Sequence, residues 1–465
     1  MSTRRVLLTR RAFVLGSLSA PALAACSSGG AGVAGPDRRS GPRVPARPAG
    51  VVRTDWSGDP YALGAYSYLA VGAEPVMREW LAAPVAERVF FAGEATDGDA
   101  PSTVNGALAS GRRVAAEVGR LVGAGEHVAV VGAGAAGAQA ARLLVDGGLR
   151  VRVVEARDRV GGRIDTVRAP GWPVPVERGA SWVHAVEASE LAGALDRLGV
   201  ATVPFDYEAS ALGPAGDRVD DLEAFGEDAR DALDGALAWA GDLDGDISVA
   251  DAVRRSGAAE ALDAAVVRHY FDSEISTEYG ADPEELSAHW GFEEGSEGDD
   301  VLVVGGYGRL VESLLDGIDV RLSEPVAAIG HDAAGVTLRF ASGVEASFDR
   351  VVVTVPLGVL KAAAIEFEPP LPERHRRAID SIGFGLLDKL WLRFDEQFWS
   401  DEGLMWTIVD DDGYAEWFNL APVVGAPVLL ALVGGARARR LRDLDEDAAV
   451  EVALGSLRRL MDAGW

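Results

Sequence analysis

Four apolar residues, Val128 to Val131, run into a glycine-rich turn, then into an alanine-rich segment of helical period, and then into a second apolar run that stops at Glu155. This order predicts strand, tight turn, helix and strand. Upstream, Arg88 to Phe91 reads as a short buried strand and Thr103 to Val122 as a helix with an apolar inner face, and both can bury that surface only against the same domain. Asp55 to Gly72, Arg88 to Val122, Val128 to about Pro204, and about Val301 to Glu366 alternate strands, helices and glycine turns. Phe205 to Asp300 and Phe367 to Trp465 carry helical patterns, with a strand-rich stretch around Lys389 to Phe394. Two interleaved domains are expected, with a pocket where they meet.

The glycine turn carries its own chemistry. Gly132 permits a tight turn after the strand, Gly134 lets the backbone approach a pyrophosphate, and Gly137 lets the following helix pack closely while its N-terminus faces negative charge. Glu155 stands about 20 residues on, placed to accept ribose hydroxyls. A glycine fingerprint alone is weak evidence in a chain with 56 glycines. Strand before, helix after and acid at the next strand end make it a dinucleotide site.

Composition narrows the field. The chain has 465 residues, 48% hydrophobic and 25% charged, which is ordinary globular usage with room for two domains. Removing residues 1 to 25 takes away four arginines and no acids, leaving 40 basic against 72 acidic residues, a net of −32. Nucleic-acid binding is excluded on that balance, and the acid excess is either a solvated surface or a field that gathers cations. The single cysteine, Cys26, rules out an intramolecular disulfide, a cysteine-type metal site and a thiol nucleophile within the fold. The six histidines show no metal-ligand spacing, so no metal is expected.

The first residues read as an address. Thr9-Arg10-Arg11-Ala12-Phe13 and the apolar run to Leu23 resemble a twin-arginine export signal, and Leu23-Ala24-Ala25-Cys26 resembles a lipoprotein cleavage box with Cys26 as the lipidated residue. The expectation is export by that route and a lipid anchor on the outer face of a bacterial membrane. Residues 26–48 read as a flexible tether.

Several separated motifs share one resemblance. DRVGGR (Asp158 to Arg163) resembles the extension of two-dinucleotide-fold flavoproteins that helps hold the diphosphate, which favours FAD over NAD. GASWVHAVEASEL (Gly179 to Leu191), VVGGYGRLVESLL (Val303 to Leu315), VVVTVPLGVLK (Val351 to Lys361), FEPPLPERHRRAI (Phe367 to Ile379) and SIGFGLLDKLWLRFDEQFW (Ser381 to Trp399) resemble the flavin-containing amine oxidase superfamily, in particular polyamine oxidases and lysine-specific histone demethylases. RVFFAGEATDGDAPSTVNGALASG (Arg88 to Gly111) is similar to the segment that usually closes such chains, yet here it precedes the fingerprint. The resemblance therefore implies a circular permutation, cheap when old termini lie close and new ones fall in a loop; a fusion of two gene fragments is the alternative. It also implies an α/β fold, an FAD-binding Rossmann-like domain of the two-dinucleotide-fold flavoprotein type (49–204 and 301–366, with 49–122 permuted) interleaved with an α+β substrate domain (205–300 and 367–465).

Residue by residue, the resemblance implies cofactor contacts at Gly132, Gly134, Ala136, Gly137, Glu155, Ala156, Arg157, Gly162, Arg163, Gly179, Ala180, Ser181, Trp182, Val326, Glu94, Thr103 and Val104. Lys389 matches the lysine that holds a water against flavin N5. It gains weight from the composition: of 44 basic residues only Lys361 and Lys389 are lysines, and an ammonium can be compact, buried and shifted where a guanidinium cannot. Lys361 reads as a surface residue. Tyr66 matches the aromatic wall beside the flavin, with Trp56 and Phe418 as further walls and His184 at the pocket mouth. Ala65 stands where monoamine oxidases carry a flavin-bonding cysteine, so the FAD is expected to be noncovalent. Thr103 replaces their second cage tyrosine.

The implied activity is oxidation of a primary or secondary amine, polyamine-like favoured, to an imine and then an aldehyde, with dioxygen as acceptor. The implied partners are a small amine and dioxygen. A desaturase or amino-acid oxidase of the same fold, and a noncatalytic FAD-fold binding protein, stay open at this point.

Overall fold

The computed structural model describes residues 44–465 apart from 122, 124, 206, 208, 220, 221, 294–297, 401 and 402. The proposed signal and most of the tether, Cys26 included, lie outside them. At the centre is a five-stranded parallel sheet in the order Asp319–Arg321, Arg150–Val154, His127–Val131, Arg350–Val353, Val89–Phe91. The strands His127–Val131, Arg350–Val353 and Val89–Phe91 are almost continuously apolar because both faces are covered, whereas the edge strand Asp319–Arg321 carries exposed charges. Helices Val104–Leu121 and Ala135–Asp146 bury one apolar cluster on one face, and helices Val76–Ala82 and Glu373–Ser381 share the cluster on the other. The first pair of helices approaches closely at Gly111, where a Cβ would lie 2.5 Å from the Ala136 carbonyl oxygen.

A seven-stranded sheet forms the second layer, in the order Gly50–Arg53, Leu387–Arg393, Val428–Gly434, Glu416–Asn419, Met405–Ile408, Ala209–Leu212, Arg218–Val219. Its core is rich in aromatic residues, among them Trp399, Trp406, Trp417 and Trp465. Helices from Leu222–Gly241 to Ala264–Phe271 make a separate apolar cluster that also takes in Tyr68.

Two boundaries differ from the sequence reading. The strand Gly50–Arg53, expected in the dinucleotide domain, is an edge of the seven-stranded sheet, where Val52 stands opposite Trp391. The helix Glu373–Ser381, expected in the substrate domain, packs His375, Ala378 and Ile379 onto the parallel-sheet side, with the His375 ring 5.3 Å from that of Phe91. In both cases a short amphipathic element follows the nearest apolar surface rather than its neighbours in sequence.

Candidate functional site

One cavity of about 560 Å³ runs between the parallel sheet and the seven-stranded sheet. The strand His127–Val131 ends at its edge, and Gly132, at φ +110°, turns the chain into the helix Ala135–Asp146, whose N-terminus faces the cavity. Gly137 lies behind this turn, not on the cavity wall: a Cβ there would stand 2.0 Å from the Gly132 carbonyl oxygen. It is a packing glycine. Gly132, Gly134, Ala136, Glu155, Ala156, Arg157, Gly162, Arg163, Glu94, Thr103, Val104, Gly179, Ala180, Ser181, Trp182 and Val326 all line the cavity.

Their side chains are arranged for an anionic, hydroxyl-rich molecule. Glu155 is buried; its Oε2 accepts from Ala133 N at 2.8 Å and its Oε1 from Arg157 N at 2.9 Å, which fixes the carboxylate at the second strand end. Arg157 is clamped by both oxygens of Asp59 at 2.8 Å and lies over the Tyr61 ring. Arg163 Nη1 donates to Ala65 O and Glu94 Oε1, each at 2.8 Å. Burial alone would raise the Glu94 pKa, but Arg163, the Ser67 hydroxyl and Arg78 bring it below the usual carboxylate range. Thr103 caps the helix Val104–Leu121, its hydroxyl accepting from Gly106 N at 3.0 Å, so a second helix N-terminus is directed at the cavity. Two helix N-termini, two guanidinium groups and two buried carboxylates in one long cavity suit the diphosphate, ribose and polyol of a dinucleotide cofactor.

Lys389 lies farther along the same wall. Its side chain comes off the strand Leu387–Arg393, next to the edge strand Gly50–Arg53, and is 4% exposed, with Nζ donating to Gly179 O and Ser181 Oγ, each at 2.5 Å, and standing 5.2 Å from the Trp182 ring centre. Burial drives its pKa from 10.5 down to about 7, partly opposed by Glu177. Glu177 is itself buried; burial raises its pKa against the hydrogen bonds from Thr166 and Tyr307 N.

Tyr66, Trp56, Phe418 and His184 complete the wall. Tyr66 donates its hydroxyl to Thr277 O and Glu278 O at 3.1 Å. Thr277 is the last residue of the π-helical turn Asp272–Thr277, a form found often at functional sites, and Glu278 follows it, so both carbonyls lie near the C-terminal end of this helical stretch. Trp56 Nε1 donates to Arg178 O at 3.2 Å. Phe418 is fully buried, its ring 5.6 Å from those of Trp182 and Phe205. His184 Nδ1 meets Asp300 Oδ2 at 2.7 Å, and Tyr207 donates to the same oxygen at 2.8 Å. Burial would raise the Asp300 pKa, yet the His184, Tyr207 and Ala185 N contacts hold it low.

The sequence reading missed Glu177, Tyr207, Thr277, Glu278 and Asp300. None stands in a motif, and Thr277 and Glu278 act through backbone carbonyls. Lys361, read as a surface residue, is exposed but occupied: its Nζ donates to Ile379 O, Asp380 O and Ile382 O at 2.8–2.9 Å, closing the helix Glu373–Ser381.

The sequence profile described as "Flavin containing amine oxidoreductase" matches residues 38–119 and 135–464. Polyamine oxidase 2 of Arabidopsis thaliana is 31% identical over 360 residues, covering 72% of each chain. Lysine-specific histone demethylase 2 of Homo sapiens is 28% identical over 362 residues, covering 72% of this chain and 44% of that protein. A solved structure of wild-type putrescine oxidase bound to putrescine shares the fold, with a TM-score of 0.56 at 24% identity over 72% of this chain and 81% of that one. The chain therefore belongs to the flavin containing amine oxidoreductase family and is an FAD-dependent oxidoreductase acting on amines.

Proposed function

We propose that the protein oxidises a primary or secondary amine of polyamine type, with dioxygen as acceptor. The observation that carries this reading is Lys389, a buried lysine nitrogen on the wall of the same cavity as the dinucleotide cradle. The carbon next to the nitrogen gives up its hydrogen with both bonding electrons while the nitrogen lone pair forms the C=N bond. Water then splits the imine into an aldehyde and ammonia or, from a secondary amine, an aldehyde and a smaller amine. Bound FAD supplies the two-electron acceptor, and dioxygen takes those electrons with two protons to leave as hydrogen peroxide.

The protein's part is positional. The turn Gly132 to Ala136 would hold the diphosphate, Glu155 the ribose, Glu94 with Arg163 the ribityl chain, and Thr103 with Val104 the flavin ring. Lys389, its pKa lowered by burial, would hold a water beside the reacting carbon. Tyr66, Trp56 and Phe418 flank an elongated amine and keep bulk water out, with His184 at the mouth. A desaturase acting on an apolar chain has no use for a buried amine there. The test is a panel of polyamines, monoamines and amino acids followed by amine-dependent peroxide formation; activity confined to amino acids would refute the polyamine assignment.

The FAD is bound without a covalent link, since Ala65 offers no thiol. The chain is also a circular permutation of the family order. Support comes from Val89–Phe91 pairing in register with Arg350–Val353, from Trp465 sharing one apolar cluster with Val44 and Val51, and from Arg53 donating to Leu444 O at 2.7 Å. Export by the twin-arginine route and lipidation at Cys26 complete the proposal; that route carries proteins already folded around a cofactor.

A further inference from the structure

One buried guanidinium has no part in the chemistry above. Arg78, on the helix Val76–Ala82, has a side chain 1% exposed. Its Nε and Nη2 donate to Glu293 Oε1 and Oε2 at 2.8 and 2.6 Å, a two-pronged pair. Its Nη1 donates to Ser67 Oγ at 2.8 Å and to Ala95 O at 3.2 Å. Arginine stays charged at any working pH, so burial of this side chain demands a matching carboxylate.

The contact with Ser67 fixes a direction. A hydroxyl has one proton, and because Arg78 donates into Ser67 Oγ, that proton points at Glu94 Oε2, 2.6 Å away. The same Oε2 accepts from Ser102 N at 3.1 Å, and Oε1 accepts from Arg163 Nη1 at 2.8 Å. Glu293, Arg78, Ser67, Glu94 and Arg163 thus form a chain of alternating charge in which the hydrogen-bond directions are set. Its inner end, Glu94 and Arg163, lines the cavity. Its outer end, Glu293, directly follows Phe292, which packs on the helical cluster.

We propose that Arg78 and Glu293 are positioning residues for the flavin, orienting the Ser67 hydroxyl and through it the Glu94 carboxylate, so that cofactor retention is set in part from the helical region. The inference rests on the reading of Glu94 as an acceptor for a cofactor hydroxyl. Without the Glu293 charge, Arg78 turns toward Glu94, the next carboxylate along the chain, and competes with the cofactor for its oxygens.

The experiment measures FAD release from the holoenzyme, read as recovered flavin fluorescence after dilution. Glu293→Gln, Arg78→Met, the double variant and Glu94→Gln are compared with Arg339→Gln, whose ion pair with Glu366 is exposed. The two single variants are expected to release FAD at least tenfold faster than wild type, Glu94→Gln at least as fast as they do, and Arg339→Gln at the wild-type rate. The double variant removes both buried charges but not the loss of Ser67 orientation, so it is expected to stay fast. Wild-type release from Glu94→Gln would remove the reading of Glu94 itself. Fast release from Glu94→Gln with wild-type release from Glu293→Gln would overturn the inference alone, even if Arg78→Met fails to fold. Restoration of slow release in the double variant would show mere charge burial and overturn it too.

Discussion

Replacing Lys389 with methionine separates what the lysine costs the fold from what it does for the reaction. The Lys389 pKa is about 7 when folded against 10.5 ordinarily, so between those values the unfolded chain holds a proton that the folded protein lacks. Stability contributed at this site therefore rises with pH across the window and is lowest below pH 7. At about 1.4 kcal/mol per unit, burying the charge costs on the order of 5 kcal/mol at pH 7. Methionine removes that cost and takes one donor from Gly179 O and one from Ser181 Oγ, a penalty of about 1–3 kcal/mol, while Ser181 Oγ still donates to Gly179 O at 3.3 Å. The net expectation is a variant more stable than wild type by roughly 2–4 kcal/mol at pH 7 and less stable at pH 10.5, with the curves crossing near pH 9. Denaturant unfolding of the two proteins from pH 6 to 10.5 measures this directly, and amine-driven flavin reduction should be slowed by orders of magnitude throughout. Parallel stability curves would show that the nitrogen is not desolvated as the geometry requires.

Three further substitutions and one denaturation experiment probe other parts of the molecule. Gly137→Ala places a methyl group 2.0 Å from Gly132 O and 2.8 Å from Thr354 Oγ1, so it should destabilise by about 1–3 kcal/mol and yield protein depleted in FAD, read from the ratio of flavin to protein absorbance. Tyr66→Phe removes one hydroxyl shared between two carbonyls; a loss of about 1 kcal/mol predicts roughly a fivefold fall in kcat/KM for amines, and an unchanged value would take Tyr66 out of the positioning role. Acid precipitation should leave all the FAD in solution, and flavin retained by the pellet would contradict the noncovalent assignment. Cys26→Ser should give exported but soluble protein; continued membrane retention would remove the lipid anchor.

The parts of this site legible in the sequence are those that a local pattern encodes. Gly132, Gly134 and Glu155 act through one strand–turn–helix–strand unit, whose spacing is fixed by local geometry. Lys389 was legible for a different reason: in a chain that uses arginine almost everywhere, a retained lysine marks a task for a compact, titratable cation. The same reasoning undervalued Lys361, whose three hydrogen bonds use the three donors of an ammonium just as specifically. What could not be read was assembled over distance. His184, Tyr207 and Asp300 converge from three stretches, and the strand Gly50–Arg53 finds its partner more than 300 residues away. The carbonyls that receive Tyr66 lie at the end of a π-helical turn, Thr277 within it and Glu278 just after it, and the side-chain pattern of 272–277 has no distinctive signal for that turn.

If this cavity joins FAD to an amine substrate and to dioxygen, both half-reactions are visible in the flavin spectrum. The flavin-loaded protein is mixed with spermidine, spermine or putrescine without oxygen, the flavin absorbance is followed, and oxygen is then admitted and peroxide quantified. Bleaching by at least one of these amines, recovery of the oxidised spectrum on aeration, and one peroxide per amine oxidised are expected. An oxidised spectrum that persists with every amine, or bleaching that oxygen does not reverse with peroxide formation, would contradict it.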